Sequence, residues 1–170
     1  MFVLGIDPGL TRCGYGAVVR EGHFLRAVSA GVLTTAPTSP LPERLAQLQA
    51  GLRALVAELA PTAVAVERVF FQVNARTAMS VGQASGLALA EAWAAGCEVA
   101  QYTSNEVKQA VAGYGAAPKE QVQRMVQAQL GLVSRPRPPD AADALALALC
   151  HHAMAPLRAR LAASGVPARP

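Results

Sequence analysis

Four carboxylates in this sequence stand where a charge is hard to explain as ordinary surface. Asp7 follows the short apolar run 2–6, and Glu67 ends a similar run. Short unbroken apolar runs are typical of strands that are buried on both faces of a sheet. Asp140 and Asp143 begin a segment of alanines and leucines, and a spacing of three residues places both on one side of a helix. Each acid alone also fits a structural role, such as a turn at Asp7 or a helix cap at Asp140.

Together, these four acids indicate a metal site, which none of them indicates alone. If the elements that carry them converge, three or four carboxylates meet in one place and repel one another strongly, unless divalent cations bind between them. Because the set offers oxygen ligands without His or Cys, Mg²⁺ or Mn²⁺ suits it best. Two such ions about 3.5–4 Å apart activate a water and stabilise the leaving oxygen of a phosphodiester. The acids therefore predict metal-dependent phosphoryl chemistry.

The positive charges single out two further residues. The chain has 15 Lys and Arg against 11 Asp and Glu, and this net charge of +4 favours a polyanionic partner only weakly. Lysine occurs only at Lys108 and Lys119, while arginine carries the other positive charges. A lysine beside a scissile phosphate would stabilise the charge that develops there. The alternative is that both lysines lie at solvent-facing helix ends.

The apolar pattern predicts the elements that must position these side chains. Three opening strands form an antiparallel meander, and helices lie between the later strands, which predicts an α/β fold with a mixed sheet flanked by helices. The predicted strands are 2–6, 15–19, 24–35, 63–66 and 98–102. The predicted helices are 41–59, about 74–93, a short one opened by a capping box at 103–106, 119–130, and 140 to about 152.

Composition bounds the rest of the molecule. A chain of 170 residues with 52% hydrophobic and 15% charged residues fits one domain, expected to cover residues 1–153, with 154–170 as a flexible tail. No apolar run is long enough to cross a membrane and no export signal begins the chain, so we expect a cytoplasmic protein. Three widely spaced cysteines without a C-x-x-C pair favour reduced thiols over disulfides or a zinc site.

Two smaller features have structural interpretations. His151 and His152 follow the last predicted helix, and we expect them to contact its C-terminal carbonyls instead of a metal. Gly82 and Gly86 give the helix 74–93 a smooth face. We interpret that face as close packing of the helix on the chain's own sheet, which is commoner in such proteins than a subunit contact.

An ordered series of motifs resembles the RuvC family of bacterial Holliday-junction resolvases. The motifs are G-I-D-P-G, V-E-R-V-F with N-x-x-T, S-V-G-Q-A-S-G, V-K-Q-A-V-x-G, P-K-E-Q-V and D-A-A-D-A-L-A-L-A, spread from about Phe2 to His152. The resemblance implies a ribonuclease-H-like fold, a homodimer, and one or two Mg²⁺ ions per subunit, which Mn²⁺ can replace. It also implies an endonuclease that nicks two strands symmetrically across a four-way DNA junction, leaving 5′-phosphate and 3′-hydroxyl ends. The branch-migration complex RuvA–RuvB is the partner that the resemblance implies.

Matched motif by motif, the resemblance assigns roles to single residues. The family's four metal-binding acids match Asp7, Glu67, Asp140 and Asp143. Some members carry His where this chain has Asp140. Lys108 and Lys119 match two lysines that contact the DNA backbone near the cut, and we count Lys119 with the catalytic set. Phe70 matches an aromatic that stacks on unpaired bases, although Phe70 or Phe71 could equally belong to the core. Arg76 could hold a backbone phosphate by its charge.

Three other functions remain as alternatives at this point. A phosphotransferase of the actin or sugar-kinase type shares the expected fold, but it needs a second domain with its own phosphate loop. A junction-binding module without activity would have purely structural acids, at a high electrostatic cost. A ribonuclease-H-like enzyme that cuts RNA–DNA hybrids would use the same metal site, and its substrate alone would distinguish it.

Overall fold

The fold is built on one sheet of five strands. The computed structural model describes residues 1–68 and 75–164, apart from the side chains of 75–77 and 162–163. The strands are β1 (Phe2–Asp7), β2 (Arg12–Glu21), β3 (Phe24–Thr34), β4 (Ala63–Glu67) and β5 (Glu98–Tyr102). They lie in the order β3-β2-β1-β4-β5. The first three are antiparallel neighbours, whereas β4 runs parallel to both β1 and β5, so the predicted mixed sheet is confirmed.

Side chains alternate between the two faces of this sheet, because successive strand residues point to opposite sides. On β1, Val3 belongs to one apolar core, whereas Leu4 and Ile6 belong to another. Gly5 and Asp7 follow Val3 at intervals of two residues and share its face. We call the face of Val3 and Asp7 the acidic face, and the face of Leu4 and Ile6 the opposite face.

Helices cover both faces, so the molecule has three layers. The helices are α1 (Leu41–Leu59), α2 (Ala75–Ala94), α3 (Ser104–Ala112), α4 (Lys119–Gln129) and α5 (Pro139–Ala163). The opposite face packs on α1 and α2, and the acidic face packs on α3, α4 and α5. The α1 side chains that enter the core recur at helical spacing: Leu48, Leu52, Leu55 and Val56. This recurrence is the amphipathic pattern from which the helix was predicted.

The helix α5 is the longest element and lies on β1 and β2. Its residues 144–150 are all buried, as the almost wholly apolar sequence predicted. The helix continues to Ala163, although we expected it to end near His152. The expected boundary between a domain and a flexible tail, at residues 153 and 154, therefore falls inside a helix. No helix in the described part of the chain is long and apolar enough to cross a membrane.

A proline inside α5 is accommodated by a side chain from the sheet. Pro156 has no N–H, so the carbonyl of His152, four residues earlier, loses its usual helical partner. The guanidinium of Arg20 on β2 donates to that carbonyl at 3.3 Å. The sequence predicted the end of the helix near His152 because residues 155–170 lack apolar periodicity, and a contact with a distant strand is not visible in that pattern.

The two histidines of α5 lie inside the helix and not at its end, so the predicted contact with C-terminal carbonyls was wrong. His151 and His152 are both buried, and they contact different strands of the sheet. The Nδ1 atom of His151 is 2.9 Å from the Tyr102 hydroxyl, and Nε2 of His152 is 3.0 Å from the carbonyl oxygen of Val18. Burial lowers the pKa of both imidazoles, so both are neutral near pH 7.

The smooth face of α2 also differs from the prediction. Gly82 and Gly86 point away from the sheet, and a methyl group added to either would meet no atom of the described residues within 4 Å. Met79 and Trp93 lie on the same side of α2, with 64% and 76% of their surfaces exposed. The side of α2 that packs on the sheet is the one that carries Ala84, Ala88 and Ala92. This helix therefore presents an apolar side to the outside of the subunit.

Candidate active site

Two acids of the site are neighbours at one end of the sheet. β1 and β4 are adjacent parallel strands with Ile6 paired to Val66, so their last residues, Asp7 and Glu67, lie side by side. Their carboxyl groups are close enough to share a hydrogen bond. Burial, followed by the charges of Glu67 and Asp143, raises the pKa of Asp7 to about 7. Burial also raises the pKa of Glu67.

The other two acids come from the first turns of α5, and each contacts a cation. The guanidinium of Arg12 donates to Oδ2 of Asp140 from Nη2 at 2.8 Å and from Nε at 3.2 Å. These hydrogen bonds lower the pKa of Asp140. The ammonium of Lys119 lies 2.5 Å from Oδ2 of Asp143. Partial burial opposes the charge of Lys119, but its hydrogen bond to Asp143 outweighs that effect and raises the pKa of the lysine.

The structure brings together all four acids that the sequence singled out. The charges of Glu67, Asp143 and Asp140 each disfavour the ionised form of Asp7, as expected when four carboxylates face a common space. The ends of β1 and β4 and the start of α5 thus lie at the same end of the sheet. What the acids bind remains a prediction.

This set of side chains fits divalent cations by its chemistry. It offers carboxylate oxygens, the ligands that Mg²⁺ and Mn²⁺ prefer. Burial first, and then the charges of Glu67 and Asp143, disfavour the ionised form of Asp7, and a bound cation would offset both effects. Within the described residues, no three such side chains already surround one point closely enough to hold an ion. Asp140 and Asp143 are engaged with Arg12 and Lys119 instead.

A cleft of about 330 Å³ adjoins the acids. Two of the acids, Glu67 and Asp143, and both lysines, Lys108 and Lys119, line it. The predicted lysines therefore lie at the site and not on unrelated helix ends. The capping box that begins α3, in which Thr103 and Glu106 each accept from the other's backbone N–H, fixes the start of the helix that carries Lys108.

Arg12 is a site residue that the sequence did not reveal. It lies at the start of β2, just beyond the turn after Asp7, and its contact with Asp140 joins residues far apart in the chain. The nearest signal is its position, since a side chain that follows the Asp7 turn must lie at the same end of the sheet. Nothing about the residue type distinguishes it from the other arginines.

Two predicted DNA-binding residues lie wholly or partly outside the described residues. Phe70 lies outside the described residues, as does Phe71. Arg76 belongs to the first turn of α2, but its side chain lies outside that description. The predicted contacts of Phe70 and Arg76 with DNA therefore remain predictions.

Comparisons with known proteins agree with one another. The family model described as "Crossover junction endodeoxyribonuclease RuvC" matches residues 3–151. Proteins of that name from Chloroflexus aggregans and Moorella thermoacetica are each 52% identical to this chain, over 96% and 94% of its length and 100% and 96% of theirs. A solved structure, T. thermophilus RuvC in complex with Holliday junction substrate, is 42% identical, with a TM-score of 0.88 over 93% of this chain and 96% of that one.

Proposed function

The chain belongs to the RuvC family of crossover junction endodeoxyribonucleases, and we propose that its four clustered acids form the site that cuts the DNA. The protein is a structure-selective endonuclease that resolves Holliday junctions during DNA recombination and repair. It does so by metal-dependent, symmetric nicking of two strands, which leaves 5′-phosphate and 3′-hydroxyl ends. The observation that supports the location of the site is the meeting of Asp7, Glu67, Asp140 and Asp143 in a chain of this family.

Mg²⁺ is the ion that we propose for this site, with Mn²⁺ as a substitute and one or two ions in each subunit. Asp7 and Glu67 would hold it from the sheet, and Asp143, with Asp140, from the helix. When bound, such ions supply an activated water and stabilise the leaving oxygen of the phosphodiester. The carboxylates act as ligands only when ionised, so Asp7, whose pKa is raised to about 7 in the metal-free protein, would have to be ionised to hold a cation.

Lys119 has a role that follows from its present partner. Its ammonium neutralises Asp143 in the free protein and lies in the cleft that a phosphate would enter. A bound phosphate and a cation on Asp143 would together draw Lys119 from the acid to the phosphate, where it stabilises the charge developing in the reaction. Lys108, which lines the same cleft, would hold the DNA backbone. Phe70 would stack on junction bases, and Arg76 would hold a phosphate.

We also propose that the protein acts as a homodimer through α2. Met79 and Trp93 flank Gly82 and Gly86 on an apolar side of the helix that none of the described residues covers. Two copies related by a two-fold axis would bury this side and present two identical sites to a junction of near two-fold symmetry. In the cytoplasm, where this DNA would be met, RuvA–RuvB is the partner that we propose from the family.

The test is cleavage of a synthetic four-way junction, with linear duplex and RNA–DNA hybrid as control substrates. Each reaction contains Mg²⁺ or EDTA, and the Asp7→Asn variant is compared with the wild type. We expect paired nicks in the junction alone, only with Mg²⁺, and none with Asp7→Asn. The variant should still bind the junction in a gel-shift assay in EDTA, because the lysines of the cleft are intact.

Each other result would point to a different function. Cutting of the hybrid in preference to the junction would keep the metal site and change the substrate. Junction binding without cutting, equal in wild type and Asp7→Asn, would favour the binding module with structural acids. Sedimentation of the wild type and a Gly86→Arg variant tests the dimer separately, since a charged side chain on the apolar side of α2 should produce monomers.

A further inference from the structure

The backbone of α5 lies directly on the sheet at three glycines: Gly5, Gly14 and Gly16, which we call the glycine platform. Gly5 on β1 is paired with Gly16 on β2. A Cβ atom on Gly16 would lie 2.6 Å from the backbone nitrogen of Leu145. A Cβ on Gly5 would lie 2.9 Å from the backbone nitrogen of Ala148 and would overlap the carbonyl of the preceding turn. Side chains do not approach backbone this closely, so the helix and the sheet touch through backbone atoms.

The third glycine contacts the acid-bearing end of the helix. A Cβ on Gly14 would overlap the carbonyl group of Asp140, with its carbon 2.7 Å away, and would lie 3.0 Å from the Cβ of the same residue. Gly14 is also the residue paired with Asp7 across β1 and β2. Gly14 therefore touches one acid of the site through its backbone and is the ladder partner of another.

The rise per residue of strand and helix explains why these contacts place Asp7 and Asp140 next to each other. Gly5 precedes Asp7 by two strand residues, a translation of about 6.6–6.8 Å. Asp140 precedes Ala144, the helix residue whose carbonyl lies over Gly5, by four helix residues, a translation of about 6 Å. Measured from the contact between Gly5 and Ala144, Asp7 and Asp140 therefore lie at nearly the same distance along the strand and the helix, at the end of the sheet.

We propose that the glycine platform sets the spacing between the acids of the sheet and the acids of the helix, and that Gly14 is a positioning residue for the cleavage reaction. A methyl group at Gly14 would have to push the first turn of α5 outward, since the atoms in its way are backbone. Asp140 and Asp143 would then move away from Asp7 and Glu67. The proposal deepens the proposed function and rests on it.

The experiment compares Gly14→Ala with wild type and with a matched control, Gly51→Ala. Gly51 lies on α1 at the opposite face, where an added methyl group meets only the flexible end of the Leu33 side chain, at 3.3 Å. Three quantities are measured: kcat for junction cleavage in Mg²⁺, junction affinity in EDTA, and Mn²⁺ affinity of the free protein by electron paramagnetic resonance. Circular dichroism establishes that each variant is folded at the temperature used.

For Gly14→Ala we expect kcat to fall by about tenfold to a hundredfold, because displacements of about 1 Å have effects of that size. Mn²⁺ affinity should fall by about tenfold, as when ligand-positioning groups are removed. Junction affinity in EDTA should not change, and Gly51→Ala should behave as wild type. In the Gly14→Ala background, Asp140→Glu should recover part of the lost Mn²⁺ affinity, because a longer side chain spans the wider gap. A folded Gly14→Ala protein that binds Mn²⁺ and cleaves like wild type would overturn the proposal.

If Gly14→Ala does not fold, a second variant tests the proposal. Asp140→Glu leaves the glycine platform intact, and a side chain one methylene too long for the native spacing should weaken Mn²⁺ binding. Unchanged Mn²⁺ binding by Asp140→Glu would show that the spacing is not tight, and the proposal would be wrong. Cleavage by the wild type is the separate check on the proposed function: its absence would remove that function, whereas a normal wild type beside a normal Gly14→Ala would remove only this inference.

Discussion

On the opposite face of the sheet, the leucines of α1 pack among the side chains of β1 and β4, whereas on the acidic face the backbone of α5 rests on glycines. Side chains that interdigitate can adjust by changing rotamer when a neighbour changes. Backbone atoms in contact have no such freedom. The helix that carries two of the four acids is therefore packed on the sheet less adjustably than the leucine-rich helix α1 on the other side.

The largest difference in kcat between the two faces should appear when one acid is replaced on each face in turn. Asp143→Asn, on the acidic face, should lower kcat for junction cleavage by roughly 10²–10³-fold, the effect of losing a group that stabilises the transition state. Glu91→Gln, on α2, changes a carboxylate that binds Arg53 at 2.9 Å and Gln49 at 2.6 Å. It should leave kcat unchanged, and equal losses in the two variants would contradict the division between the faces.

A cavity in the core of the opposite face should affect stability and not chemistry. Leu52 on α1 is 1% exposed, so Leu52→Ala should lower the free energy of unfolding by about 2–5 kcal/mol. At a temperature where the variant is folded, its kcat and its Mn²⁺ affinity should equal those of the wild type. Urea denaturation and cleavage assays check the two statements, and reduced Mn²⁺ affinity in folded Leu52→Ala would show that the faces are coupled.

The acidic face should also give the metal-free protein a characteristic pH dependence. The pKa of Asp7 rises from 3.8 in the unfolded chain to about 7 in the fold, so its ionisation opposes folding increasingly as the pH rises from about 4 to 7. Asp7→Asn lacks this effect and should gain in Tm over the wild type across that interval in EDTA. The lowered pKa values of His151 and His152 act in the opposite sense, and the comparison cancels them. A Tm difference that is independent of pH would contradict the assignment to Asp7.

The smallest predicted effect concerns the capping box of α3. Thr103→Ala removes the acceptor for the backbone N–H of Glu106, which should cost about 1 kcal/mol of stability. Because α3 carries Lys108 to the cleft, junction affinity in EDTA should fall slightly while Mn²⁺ affinity of the free protein stays the same. A change in Mn²⁺ affinity here would mean that α3 helps to position the acids.

Features that depend on nearby residues were predictable from the sequence. The strand ends at Asp7 and Glu67 follow from two short apolar runs, and the capping box at Thr103 was found where it was expected. Both ends of α1 and of β5 also agree with the prediction. In each case the signal and the structure lie within a few residues of each other.

Features that depend on distant partners were not predictable in this way. The end of α5 was predicted too early because residues 155–170 lack apolar periodicity, and the contact of Arg20 with the His152 carbonyl, which accommodates Pro156, joins separate elements. The outward side of α2 was misjudged because glycine spacing indicates a smooth surface without saying what covers it. The pairing of Arg12 with Asp140 likewise needs the fold before it can be seen.

The ion pairs of Arg12 and Lys119 have a consequence for how quickly the enzyme can meet its substrate. A cleft that carried only unpaired carboxylates would repel a phosphodiester backbone and slow its approach. Asp140 and Asp143 each lie beside a cation, and Lys108 adds a further positive charge to the cleft. Approaching DNA would therefore meet charges of both signs. The resting protein therefore carries counterions for two of its four acids, which reduces the repulsion that an approaching phosphodiester backbone would meet before any metal has bound.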